Sequence, residues 1–164
     1  MLDRHAIARL IPHQGRMSLL DAALAWDDGQ IACRATSHLC PANPLRRAGR
    51  LGMVCGVEYC LQAAALHGAL SQGARAREGR LAALRDVTVA AGRLDDPVHG
   101  ALAVSAVLEA ANRVGMIYRF CLAAEGRVRA PSERVRWDPT KSLANWPPGG
   151  RALVRGRATI VFAA

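Results

Sequence analysis

The stretch from Leu51 to Gln72, "LGMVCGVEYCLQAAALHGALSQ", contains a single charged residue, Glu58. Its length suits about six turns of helix. A helix apolar on nearly every side is buried, either in a bilayer or in a protein core. A bilayer span needs about 20 predominantly apolar residues. This stretch holds Glu58, Gln62 and His67, its alanines and glycines are only weakly hydrophobic, and the chain has no second segment like it. The expectation is therefore a core helix and no membrane span. The rest of the chain must then cover one helix on most sides. Glu58 must find a partner, give up its charge or do chemistry.

The flanking sequence offers that cover as strands. Residues 4–10 suit a short helix stopped before Pro12. Residues 17–26, the turn "DDGQ" and the alternating "IACRATSH" form a hairpin, with Ile31, Cys33 and Ala35 facing one way and Arg34, Thr36 and His38 the other. The Pro- and Asn-containing "CPANPLRRAGR" is a loop leading into the helix, and "SQGARAREGR" is a loop after it. Four strands follow, over residues 84–90, 101–109, 115–123 and 152–162, with turns between the earlier ones as in an antiparallel meander. The last two are separated by residues 127–151, too long a connection for a plain hairpin. The predicted class is α+β: one long buried helix wrapped by a curved antiparallel sheet, in a single domain over residues 1–164.

Composition bounds the function. Half of the 164 residues are apolar, so the chain is not disordered and suits one domain. Cys33, Cys40, Cys55, Cys60 and Cys121 are odd in number and lack C-x-x-C spacing, which reads as reduced thiols of a cytoplasmic protein, with neither a disulfide frame nor a zinc site. No His and carboxylate spacing suits a metal, and no cofactor is expected. The N-terminus has charges scattered through it and reads as no signal peptide. The net charge of +9 comes from twenty-one arginines and Lys141. It is spread along the chain with few aromatics, a pattern that argues against nucleic-acid binding and suits an acidic protein partner or a solvated surface.

Three segments resemble, in order, the β-hydroxyacyl-acyl carrier protein dehydratases of the hotdog fold. "IPHQGRMSLLD" resembles that family's opening Pro-His and apolar run ending in Asp. "EYCLQ" at 58–62 resembles its Glu-Ala-Met-Ala-Gln helix motif, and "GRALVRGRATIVF" its final strand. The nearest flavour is the divergent branch of aryl polyene-type lipid clusters. The resemblance implies a hotdog domain, an acyl carrier protein as the bearer of the substrate, and a homodimer or higher oligomer with sites at the seam between subunits. It also implies a histidine fourteen residues before the helix glutamate, in a Gly-His-Phe-Pro loop. Here that position is Pro44, in "PANPLRR". Either His38 takes the role across an insertion, or the pair is broken.

The chemistry assigns roles to these residues. Removing water from a β-hydroxyacyl thioester needs a base for the proton beside the carbonyl, which suits histidine. It also needs an acid for the departing hydroxyl, and a desolvated carboxyl has a raised pKa and can hold that proton. Glu58 is thus the expected acid, His38 the relocated base, and Gln62, one turn on, the residue that orients Glu58. Gly52, near the helix start, leaves backbone approachable for the thioester oxygen, or only allows close packing. Asn43 and His13 join the supporting residues, His13 expected to hold a turn by hydrogen bonds. His67 is expected to cap the helix end, and His5 and His99 to lie on the surface. Three functions stay open: a dehydratase, a non-catalytic or assisting hotdog subunit paired with an active one, and a thioesterase using the same carboxylate on water. Arg127, Arg129, Arg134, Arg136, Lys141 and Arg151 against Glu133 and Asp138, with Trp137 and Trp146, make the 127–151 loop a candidate contact for the carrier or a neighbouring subunit.

Overall fold

The long apolar stretch is helical, but the α-helix is shorter than its apolarity suggests. In the computed structural model, which describes residues 1–73, 77–125 and 151–163, a 3-10 turn at Met53–Cys55 leads into α2 at Gly56–Gln72. Ahead of it come β1 (Leu2–Asp3), α1 (Arg4–Ala8), β2 (Ala22–Trp26) and β3 (Gln30–Ala35); after it come β4 (Gly79–Val89), β5 (Leu102–Ala111), β6 (Gly115–Ala124) and β7 (Arg151–Phe162). The strands form one antiparallel sheet in the order β1-β2-β3-β5-β6-β7-β4. The expected 127–151 loop lies outside the described residues, except for Arg151, which opens β7.

Alternation along the strands explains how the sheet covers the helix. Ile31 and Cys33 of β3, Leu102, Val104 and Ala106 of β5, Tyr118, Phe120 and Leu122 of β6 and Val154 and Ala158 of β7 turn to one face, and all are buried there. Against them α2 packs Val57, Tyr59, Cys60, Ala63, Ala64 and Leu66. Met53–Gln72 is long and apolar enough by composition to cross a membrane; its packing against β3, β5, β6 and β7 accounts for that apolarity. Gly56 is where helix and sheet come closest, since a Cβ there would sit 2.9 Å from Val154 Cγ2 and 3.4 Å from Leu122 Cδ1. Gly52 has no such neighbour, so close packing does not explain it. Register shifts in β2, β4, β5 and at the β6–β7 pairing add local bends to the strands.

At its C-terminal end the helix is fastened by a polar contact. His67 is buried, and its Nε2 lies 3.0 Å from the Asp27 carbonyl, so that nitrogen carries the proton. Its Nδ1 is then the acceptor for the Tyr118 hydroxyl at 2.8 Å. Burial lowers the pKa of the ring, which holds this neutral form. The expected helix cap at His67 is therefore corrected: its side chain ties α2 to the β2–β3 turn and to β6. His99, expected on the surface, is also buried, with Nε2 bonded to the Arg93 carbonyl at 2.9 Å.

The loop before α2 is braced by Arg46, which donates to the carbonyls of His38, Cys40 and Gly49 and to Asp95. It ends in a two-residue turn closed both ways, Arg47 N to Arg50 O at 2.9 Å and Arg50 N to Arg47 O at 3.0 Å. Ala48 and Gly49 both have positive φ, 48° and 72°, the signature of a type I′ turn. Glycine accepts that backbone freely, but an alanine there costs about 1 kcal/mol.

Changing Tyr118 to Phe tests the helix fastening. It leaves the ring packing in place but strips His67 Nδ1 of its donor, and should lower the unfolding free energy by about 1–3 kcal/mol in chemical denaturation. An unchanged midpoint would show that the contact contributes nothing.

Candidate active site

Glu58 lies in the first turn of α2, where the helix dipole favours a negative charge. Its carboxylate meets two donors on one oxygen. His13 Nε2 lies 3.1 Å from Oε1, and Gln62 Nε2 lies 3.0 Å from the same atom. Among the described residues Oε2 has no protein partner. The Glu58 and His13 side chains are each 28% exposed, so the pair is reachable from solvent. Neither Arg47 nor Arg50 pairs with Glu58.

Local structure fixes both partners. The Gln14 side chain donates back to the Ala8 and Ile11 carbonyls, folding the chain after α1 and fixing the neighbouring His13. Gln62 is fully buried. Its Nε2 also donates to the Met17 carbonyl at 2.8 Å, and its Oε1 accepts from Leu19 N at 3.0 Å. It thus donates to Glu58 from one turn on, and also ties the segment carrying His13 to the helix. His13 Nδ1 is buried without a partner.

The protonation of Glu58 differs from the expectation. Burial is the largest influence and raises the carboxyl pKa. Hydrogen bonds from His13 and Gln62, with the charge of the His13 ring, outweigh it and hold the group below its usual 4.5. Glu58 is therefore a carboxylate at neutral pH, not a carboxylic acid waiting to donate.

His38 sits in a different environment. Its ring is fully buried in the Ser37–Leu39 turn, and neither nitrogen makes a hydrogen bond. Burial first, then the neighbouring His99, lower its pKa to about 4. The Gly100 carbonyl favours the charged form but is not in hydrogen-bonding geometry. No contact joins His38 to Glu58; the histidine that this fold brings to Glu58 is His13.

Asn43 is also committed elsewhere. Its Nδ2 donates to the Ser37 carbonyl and to Tyr59 Oη, each at 3.0 Å, and its Oδ1 accepts from Leu45 N at 2.9 Å. Ser37 Oγ gives its proton to the Leu19 carbonyl, so the Tyr59 hydroxyl 3.0 Å away must donate to Ser37. Burial pushes the Tyr59 hydroxyl up to about 12, so it stays protonated. Asn43 thus braces the loop and has no free donor for a substrate oxygen. Gly52 is exposed just ahead of the 3-10 turn, with room around it. Among the described residues no group of three or more His, Cys, Asp or Glu is placed to hold a metal.

Comparison with known proteins places this arrangement. The family model described as ApeP dehydratase, of the ApeP-like group, matches residues 5–133. The chain belongs to the ApeP-like dehydratase family. A solved structure, the dehydratase heterocomplex ApeI:P from Xenorhabdus doucetiae, is similar over 96% of this chain and 91% of that one, at 16% identity and a TM-score of 0.69. Zebra fish thioesterase superfamily member 2 is similar over 99% and 100% at 12% identity (TM-score 0.60). A hypothetical thioesterase with coenzyme A from Streptococcus pneumoniae covers 87% and 85% at 13% identity (TM-score 0.54). At these identities the structures establish the fold, the expected hotdog. No curated protein matches the chain.

The contrast between Glu58 and His38 has a pH consequence. His38 has a folded pKa of about 4 against the usual 6.5, so between these values the unfolded chain binds more protons. Stability is then complete above about pH 6.5 and falls as pH drops towards 4, with His38 contributing about 2–3 kcal/mol of the loss. Replacing His38 by Leu should flatten that part of the curve when unfolding free energy is measured from pH 7 to 4. A slope unchanged by the replacement would remove His38 from the acid response.

Proposed function

We propose that this protein is a dehydratase of β-hydroxyacyl thioesters borne on an acyl carrier protein, with Glu58 as the group that moves the proton and His13 as its partner. The observation that carries this reading is a carboxylate kept ionised in the first turn of an otherwise uncharged helix, with Oε1 held by His13 and Gln62 and Oε2 uncommitted. In this mechanism Oε2 takes the proton beside the thioester carbonyl. The electrons of that C–H bond become the new C=C bond, and the β C–O bond breaks. Glu58, now protonated, returns the proton to the departing hydroxyl, which leaves as water. The His13 and Gln62 donors hold the carboxylate in line throughout. Negative charge on the thioester oxygen is met at the start of the 3-10 turn that leads into α2, just after the exposed Gly52. The sequence-based roles are thereby revised: Glu58 begins as base, and His13 replaces His38 beside it. A cytoplasmic location follows from such a substrate.

A second reading is favoured by the burial of His38: an assisting subunit paired with another hotdog dehydratase. Assembly is expected on either reading. β4 is one of the sheet's two edge strands and is exposed along almost its whole length, with Leu81, Leu84, Val87 and Val89 uncovered. A bare apolar edge of this length invites pairing with a second subunit. Sedimentation should give a dimer or larger; a lone 17.5 kDa species at micromolar concentration would contradict this.

Glu58→Gln keeps an acceptor for His13 but cannot take a proton. Its rate of enoyl thioester formation should fall about 10² to 10⁴-fold with the melting temperature nearly unchanged. Full wild-type turnover in that variant would reject the assignment. Absence of turnover in the wild-type protein on any hydroxyacyl thioester would favour the assisting subunit, and free thiol release without enoyl product a thioesterase.

A further inference from the structure

Two exposed arginines face each other with nothing between them to neutralise. Arg47 and Arg50 close the type I′ turn as a doubly hydrogen-bonded antiparallel pair. Residues so paired have Cα atoms about 5.5 Å apart and side chains on one face of the ribbon. Like charges in that position repel. Among the described residues neither guanidinium has an ion pair or a hydrogen bond, although Arg46 beside them and Arg93 both engage Asp95. Ala48 adds a left-handed backbone at its own cost. The turn is nonetheless held firmly, because Arg46 ties it to Gly49, His38, Cys40 and Asp95. A like-charged pair kept together on a braced turn is arranged for a multiply charged anion, which would relieve the repulsion.

We propose that Arg47 and Arg50 form a binding site for a phosphate group. Two guanidinium forks can each offer paired N–H donors to a tetrahedral phosphate, with more charge than a carboxylate supplies. The site's place fits the thioester chemistry, and this part of the inference rests on the function proposed above. Arg50 is followed by Leu51 and Gly52, and from Gly52 the six residues to Glu58 rise roughly 10 Å. A phosphate at the turn would therefore anchor one end of an elongated arm whose reactive end reaches Glu58. Two sources share this chemistry: the phosphate at the end of a pantetheine arm, and the nucleotide phosphates of coenzyme A.

The test is binding, measured by isothermal titration with three probes: coenzyme A, 4′-phosphopantetheine and pantetheine. The wild-type protein should bind at least one phosphorylated probe about 10-fold or more tighter than pantetheine. The double variant R47A/R50A should lose that difference. Tight binding of both phosphorylated probes assigns the arm phosphate, and of coenzyme A alone the nucleotide phosphates. Arg50→Glu supplies the missing cross-strand partner, so it should keep or raise the melting temperature while also losing the preference. Glu58→Gln should bind all three as the wild type does, which separates this site from the proposed chemistry whatever the turnover. Equal affinity for the three probes, no detectable binding of any of them at millimolar concentration, or a preference that survives in R47A/R50A or Arg50→Glu would each overturn the proposal.

Discussion

The buried amide of Gln62 links the helix, the N-terminal segment and the Glu58 carboxylate in one set of bonds. A primary amide sealed in a core must place both N–H groups and its carbonyl oxygen, or lose the free energy of each one left unmet. Here the three needs are met by the Met17 carbonyl, Glu58 Oε1 and the Leu19 N–H. The backbone groups that satisfy it belong to the segment that delivers His13. A slip of that segment by one residue would present Gln62 with the wrong groups and move His13 off Glu58. The position of the pair is therefore set by core packing, although one partner comes from an irregular stretch of chain.

Glu58 and His38 show how partners, more than depth, decide whether a group keeps its charge. Burial works against ionisation at both. At Glu58 two donors and a helix start compensate, so the carboxylate survives inside a helix that is otherwise uncharged. At His38 no hydrogen bond compensates, and the ring is held neutral well below its usual range. His67 is an intermediate case: it is buried, but both nitrogens are used, in a way that suits only the neutral ring. The same interior thus keeps one carboxylate charged and lowers the pKa of two histidines.

What was legible in the sequence follows the same division. The buried helix and the strands that cover it could be read because burial imposes periodicity: Tyr118, Phe120 and Leu122 alternate, and the helix has Glu58 as its one charge. Glu58 and Gln62 could be read because a polar residue in such a helix needs a reason and a spacing of four puts the two on one face. The partner of Glu58 could not. His13 lies forty-five residues earlier, and no local period ties it to the helix; only Gln62's bonds to Met17 and Leu19 bring it there. His38 was attractive by its nearness in sequence, yet the Ser37–Leu39 turn directs it into the interior. The 3-10 start of the helix and the two-residue strand β1 were missed because neither leaves a periodic trace. The expectation of a protonated Glu58 counted burial and left out the donors.

The two ends of α2 differ in how far their polar groups are committed. At the C-terminal end His67, Tyr118 and the Asp27 carbonyl satisfy one another, so the ring nitrogens of His67 are not free for a ligand. At the N-terminal end the helix start favours negative charge, Glu58 Oε2 has no partner among the described residues, and Gly52 is exposed. The loop that leads into this end carries its own rigid frame, in Arg46, Asp95, Asn43 and Tyr59, whose polar groups are used up in bracing. With these residues engaged in bracing, the polar groups left free near the helix start among the described residues include one carboxylate oxygen, the exposed Gly52 and two opposed arginines. Each of the three suits negative charge on a ligand or the movement of a proton, and none suits an apolar partner.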